Sequence, residues 1–248
     1  MGASVTLRTR IGQRVCALVA AWLGVAASAH GQSRATLADA ARAFDESALR
    51  SEDNNAKPMP VRKWTDPVRL AFANPSTAPR LIEVARQGIK TIATEAGIPV
   101  IDVADKDPSA NFVVVFDENG LNGKTGYCFG SAWWNKSRVI YRGELRLNPI
   151  RIRDFDRCAI HEPLHSFGFL SHPHAADSVL SYVTHAQRTL TALDRELIRT
   201  LYDSRLTPGM APAPASRQAC RILGERLRAA AADIAATCDD RKGPTPAN

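Results

Sequence analysis

The sequence has no CxxC pair, no apolar run long enough to span a bilayer, no cluster of lysine and arginine interleaved with aromatics, and no internal repeat. Each absence removes a class of function. Lack of CxxC argues against a zinc cluster held by cysteines. The longest apolar run, Val15 to Ala27, falls short of the roughly 20 residues that cross a membrane as a helix. Scattered basic residues do not make the charged face that tracks a phosphate backbone, so a nucleic-acid partner is not expected.

What is present begins with an export signal. Arg8, Arg10 and Arg14 precede the apolar run, and small residues close it, with cleavage fitting after Ala29 or Gly31. Losing three arginines and no acids takes the formal charge from +7 to +4, too mild a balance to specify a polyanionic partner. The mature chain is expected to be periplasmic or secreted and not inserted in the membrane. Its cysteines are Cys128, Cys158, Cys220 and Cys238, an even set suited to two disulfides in an oxidising compartment. Three pairings are open, of which Cys128 with Cys158 and Cys220 with Cys238 is the simplest.

The chain of 248 residues is long enough for one medium-sized domain. After a signal at residues 1–31, residues 32–60 read as a helical segment and polar linker. Residues 61–210 read as the domain proper, and 211–248 as a Pro/Ala linker followed by an Ala-rich helix. Within the domain, Val61 to Ala73 suggests a strand and Thr77 to Ala96 an amphipathic helix. Ala110 to Phe116 is a short β-branched run, and Arg138 to Asn148 supplies one or two strands. Between them a loop carries Cys128, Trp133 and Trp134. Asp156 to Phe167 reads as helix ended by Gly168, and Leu190 to Tyr202 as a second helix with Thr191 as N-cap. Strands first and helices last predict an α+β domain.

Chemistry concentrates in Cys158 to Val183, CAIHEPLHSFGFLSHPHAADSVLSYV, which holds four of the six histidines. His161 and His165 are four apart, so on a helix their imidazoles share one face and can grip one ion. Glu162 beside them can take a proton from a metal-activated water without itself binding the metal. Gly168 follows three residues after His165, where a ligand helix must stop for the chain to return a third ligand. His172 stands first for that role. His174, then His185, a water or an acidic residue are the alternatives.

These residues resemble the metzincin metallopeptidases, whose motif is HExxHxxGxxH followed by a turn containing methionine. Ser171 stands where the third histidine is expected, so His172 arrives one residue late. Ser178 to Tyr182, SVLSY, is similar to the methionine turn with Leu180 in the methionine's place. Tyr182 matches a tyrosine that stabilises developing oxyanion charge in some metzincins. From Trp64 to Met210, including the closing LYDSRLTPGM, the chain also resembles a bacterial family of exported domains of unknown function. The metal motif is incomplete in many of its members. The resemblance implies a metzincin-like domain, a twisted mixed β-sheet packed on an active-site helix and a C-terminal helix. It further implies Zn2+ on His161, His165 and His172, with Glu162 and Tyr182 catalytic and a peptide or protein as substrate. The alternative is a non-catalytic zinc-binding or structural module on the same fold.

Pro163 sits inside HEPLH and, in a helix interior, costs roughly 3 kcal/mol. Either the helix starts late, near Ala159 or Ile160, or it bends. Residues before Val61 are also placed where a propeptide would lie, but between the signal and Val61 there is no cysteine to ligate zinc as a switch.

Overall fold

The computed structural model of the chain describes residues 36–52, 57–73, 79–117, 128–150, 154–174, 177–181, 183 and 186–244. The export signal lies outside the described residues, as do Tyr182 and His185. In chain order the elements are α1 (Leu37–Ala48), β1 (Arg50–Ser51), β2 (Lys57–Pro58), β3 (Lys63–Trp64), β4 (Val68–Ala73), α2 (Pro79–Ala96), β5 (Val100–Asp102), β6 (Phe112–Phe116) and β7 (Cys128–Trp134). They continue with β8 (Val139–Leu147), α3 (Phe155–Ser166), α4 (Ala192–Leu201), α5 (Pro212–Leu227) and α6 (Ala231–Cys238).

Period-two burial fixes the sheet: in β6, Phe112, Val114 and Phe116 are buried while the valines between them are only half-buried. The strand order is β3-β8-β6-β4-β5, with every one of these pairs parallel. α2 provides the crossover that a parallel β4–β5 pair requires. Within this sheet, among the described residues, β7 is the one antiparallel strand, lying along β8 and forming an edge. The fold is therefore α+β with a mixed sheet, as the order of elements suggests. α3 packs on β7, β8 and α2, while α1, α4, α5 and α6 gather as a helical group. The core is continuous through both groups, from Phe44 on α1 and Phe112 on β6 to Leu164 on α3 and Ile222 on α5.

Several expectations are corrected. The stretch read as a loop holding Cys128 and the two tryptophans is strand β7, whose side chains are mostly half-buried and so show no alternation to read. β5 was not foreseen. α1, in the segment placed ahead of the domain proper, joins the core: Ala40, Phe44, Ala48 and Leu49 are fully buried, and Asp45 accepts a hydrogen bond from Ser216 Oγ on α5 at 2.8 Å. From the stretch read as linker, Ser51, Lys57 and Pro58 take part in the antiparallel β1–β2 pair. The Pro/Ala run is the start of α5, because a proline in the first helical turn loses only an N–H that has no helical acceptor. One terminal helix is in fact two, α5 and α6.

The late start of α3 is also overturned. Asp154 caps the helix by accepting from the N–H of Arg157, with Asp156 in the first turn, so the helix begins at Phe155 and Pro163 lies inside it. Pro163 leaves the Ala159 carbonyl without its helical donor. That carbonyl faces Gly88 of α2, so closely that a Cβ there would lie 2.0 Å from its oxygen. Both disulfides have the simplest pairing, Cys128–Cys158 and Cys220–Cys238. Closing loops of 30 and 18 residues, each contributes about 3 to 4 kcal/mol, and they suit an oxidising compartment. Among the described residues no helix is long and apolar enough to cross a membrane.

Candidate metal centre

α3 presents His161 and His165 one turn apart, and Gly168, at φ 105°, turns the chain back after the helix. The return brings His172 to the other two. His172 Nε2 lies 3.0 Å and His165 Nε2 3.3 Å from His161 Nε2. The three rings are the sole histidine, cysteine or carboxylate cluster of metal-binding geometry among the described residues. His174 is exposed and stands apart, its backbone N–H donating to Glu46 at 3.0 Å.

The outer nitrogens decide what the inner ones can do. His161 Nδ1 donates to the Val179 carbonyl at 2.8 Å and His165 Nδ1 to the Phe169 carbonyl at 2.6 Å. A carbonyl only accepts, so both Nδ1 atoms carry the proton and both Nε2 atoms present lone pairs. His172 Nδ1 donates to the Glu52 carboxylate at 2.5 Å. Three lone pairs thus face a common point. Burial pulls the pKa of His161 well below the usual 6.5, helped by the charge of His165, and pulls that of His172 down to about 4 for the same reasons, against the pull of Glu52. Neutral rings with converging lone pairs repel unless a cation lies between them. Zinc–nitrogen bonds of about 2.0–2.1 Å in a tetrahedron place ligand nitrogens about 3.3 Å apart, so this donor set fits zinc.

Glu162 points at the same place. Its Oε2 accepts from the Gly130 N–H at 2.8 Å, and its Oε1 lies 4.0 Å from His161 Nε2. Burial pushes the carboxyl above its ordinary range, opposed by the charge of His165 and by the Gly130 N–H. Gly130 also has to lack a side chain, since a Cβ would lie 2.0 Å from the Glu162 carbonyl. The Cys128–Cys158 disulfide ties the start of β7 to α3 beside this contact.

Below His161, the turn Ser178–Leu180 hangs from the N-terminus of α4. Asp194 accepts from Ser178 Oγ and from the backbone N–H of Val179 at 3.1 Å, and it completes a reciprocal cap with Thr191. Asp194 therefore holds the residue whose carbonyl orients His161. Val179 and Leu180 are buried, so the apolar character expected at the methionine position is kept.

A cleft of about 560 Å³ opens over the histidines. β7, from Cys128 to Trp134, forms one wall, and Ser51, Glu52 and Met59 form the other. The second wall was not foreseen, because it comes from the stretch read as linker. Sequence alone offers one hint for Glu52: it is a carboxylate in a short polar segment preceding the domain, with no spacing relation to the motif.

No family model and no curated protein matches the chain. Among solved structures, two of myroilysin are similar to it. One has a TM-score of 0.39 and 12% identity, covering 57% of this chain and 82% of that one. The other has a TM-score of 0.38 and 11% identity, covering 64% and 93%. Likenesses this distant do not fix the fold.

Proposed function

We propose that the chain is an exported zinc-dependent metallopeptidase on a metzincin-like fold, periplasmic or secreted, acting on peptides or proteins. The observation that carries the reading is the convergence of three Nε2 lone pairs at 3.0 and 3.3 Å with Glu162 beside them. His161, His165 and His172 hold the metal. When bound, zinc supplies Lewis acidity, polarising a peptide carbonyl and making water acidic near neutrality.

Glu162 is the general base. With Oε2 fixed by Gly130, its Oε1 faces the histidines and takes the proton of the attacking water, then passes it to the leaving amine. A carboxyl held above its ordinary range by burial suits that two-way transfer. β7 supplies the binding edge: an extended peptide pairs with the side turned away from β8 by main-chain hydrogen bonds. Gly130 spends its N–H on Glu162, so the alternation of an antiparallel edge leaves the groups of Ala132 facing that side. Tyr182, outside the described residues, stabilises the oxyanion in this reading.

The test has two stages. Plasma mass spectrometry of protein purified without a His tag is expected to find one zinc per chain in the wild type and none in His165→Ala. Peptide hydrolysis by Glu162→Gln is then expected to fall about 10²–10⁴-fold with zinc content unchanged. No zinc in the wild type after incubation with it sinks the proposal. Zinc without any effect of Glu162→Gln replaces it with a non-catalytic metal-binding module.

A further inference from the structure

Two of the three histidines owe their place to α3, while His172 lies in an irregular return loop. That loop is bound to the N-terminal segment at four points. The Glu52 N–H donates to the Leu170 carbonyl at 3.3 Å, the Ser171 N–H to the Ser47 carbonyl at 3.2 Å, and the His174 N–H to Glu46 at 3.0 Å. The fourth contact is the His172–Glu52 bond at 2.5 Å. It differs in kind from the bonds behind His161 and His165, whose acceptors are neutral carbonyls. A carboxylate acceptor gives a charge-assisted bond and raises the donor strength of the ring's other nitrogen.

We propose that Glu52 is a positioning residue of the metal centre, its charge fixing the ring and tautomer of His172 so that the loop histidine binds metal as firmly as the two on the helix. This rests on the metal-site reading above and extends it to a residue 120 positions away in the chain. It makes the stretch before Val61 part of the site. A propeptide would be removed to free the histidines, whereas removing this stretch takes away the group that orients one of them. Glu52 stands behind His172, on the Nδ1 side, and leaves Nε2 facing the other rings.

The test compares full-length wild type, Glu52→Ala and Glu52→Gln. Zinc affinity is read by competition with a chromophoric chelator, ligand geometry by the visible spectrum of the Co2+-loaded protein, and folding by thermal melts of the metal-free forms. Glu52→Ala is expected to bind zinc about 10–100-fold more weakly and to change the Co2+ spectrum, with the metal-free melt little altered. Glu52→Gln, which keeps an oxygen acceptor without the charge, should fall between Ala and wild type. Wild-type affinity and spectrum in folded Glu52→Ala overturn the proposal. If that variant does not fold, wild-type affinity in Glu52→Gln overturns it equally. Failure of the wild type itself to bind either ion would sink the metal-site reading, a different result from binding that ignores Glu52.

Discussion

The histidine cluster and Arg62 are both polar groups taken out of water, and the molecule treats them in opposite ways. Around the histidines every outward nitrogen has an acceptor, and the inward nitrogens converge on one point. Arg62 is fully buried, yet among the described residues none of its three guanidinium nitrogens has a hydrogen-bond partner, and its contact of note is the face of Trp134 at 4.8 Å. Burial, followed by the charge of Arg138, pulls its pKa down to about 10. Lone pairs that converge from several directions on one point can hold a ligand. Unsatisfied polarity dispersed around one cation implies only a cost, partly offset by the aromatic face.

The comparison breaks most severely at Asp194. Asp194→Ala strips the acceptor from Ser178, Val179 and Thr191 at once, turning a satisfied region into one like that around Arg62. A loss of about 3 kcal/mol in chemical denaturation is expected, with weaker metal binding because the Val179 carbonyl loses its support. A loss near zero would show that the turn stands without its carboxylate.

Acid should expose the second difference. In the folded, metal-free chain His161 and His172 resist protonation, whereas in the unfolded chain imidazoles take up protons near 6.5. Between pH 6.5 and about 4 the unfolded state therefore binds more protons, so stability is full above 6.5 and drains away as pH falls toward 4. In metal-free thermal melts, wild type should lose stability relative to His172→Gln as pH falls from 6.5 toward 4, with the difference constant above 6.5. A constant gap across that range would refute it.

The smallest effect belongs to Arg62. Arg62→Met keeps the bulk against Trp134 and removes the unpaired charge, so a gain of about 1 kcal/mol is expected in the same denaturation assay. A clear loss would mean that the guanidinium has a role that its contacts do not reveal.

What was legible in the sequence follows from the range of each interaction. His161, Glu162, His165 and the stop at Gly168 obey helix periodicity, and His172 lies within one short loop of them, so local spacing brought these residues together on paper. The disulfide pairing was legible as the simplest choice. Glu52 was not, because nothing in chain spacing relates it to His172. β7 was hidden because an edge strand lining an open cleft is half-buried on both faces, which erases the alternation that reveals a strand. Pro163 misled in the other direction: local cost argued for a late helix start, while the Asp154 cap and the packing of α3 between β7 and α2 outweigh it.

Glu52 stands directly behind His172, and Asp194 supports His161 through Val179, but the fates of the two carboxylates would part over evolutionary time. Asp194 also completes the cap at the start of α4, so a descendant that no longer used metal would still lose stability without it. The carboxylate of Glu52 instead bonds a ring of the histidine cluster itself, so selection on it should follow the ion more closely than selection on Asp194 does. Reading the acid at the place of Glu52 against the acid at the place of Asp194 thus offers a way to sort related chains into those that still hold a metal and those that keep only its scaffold.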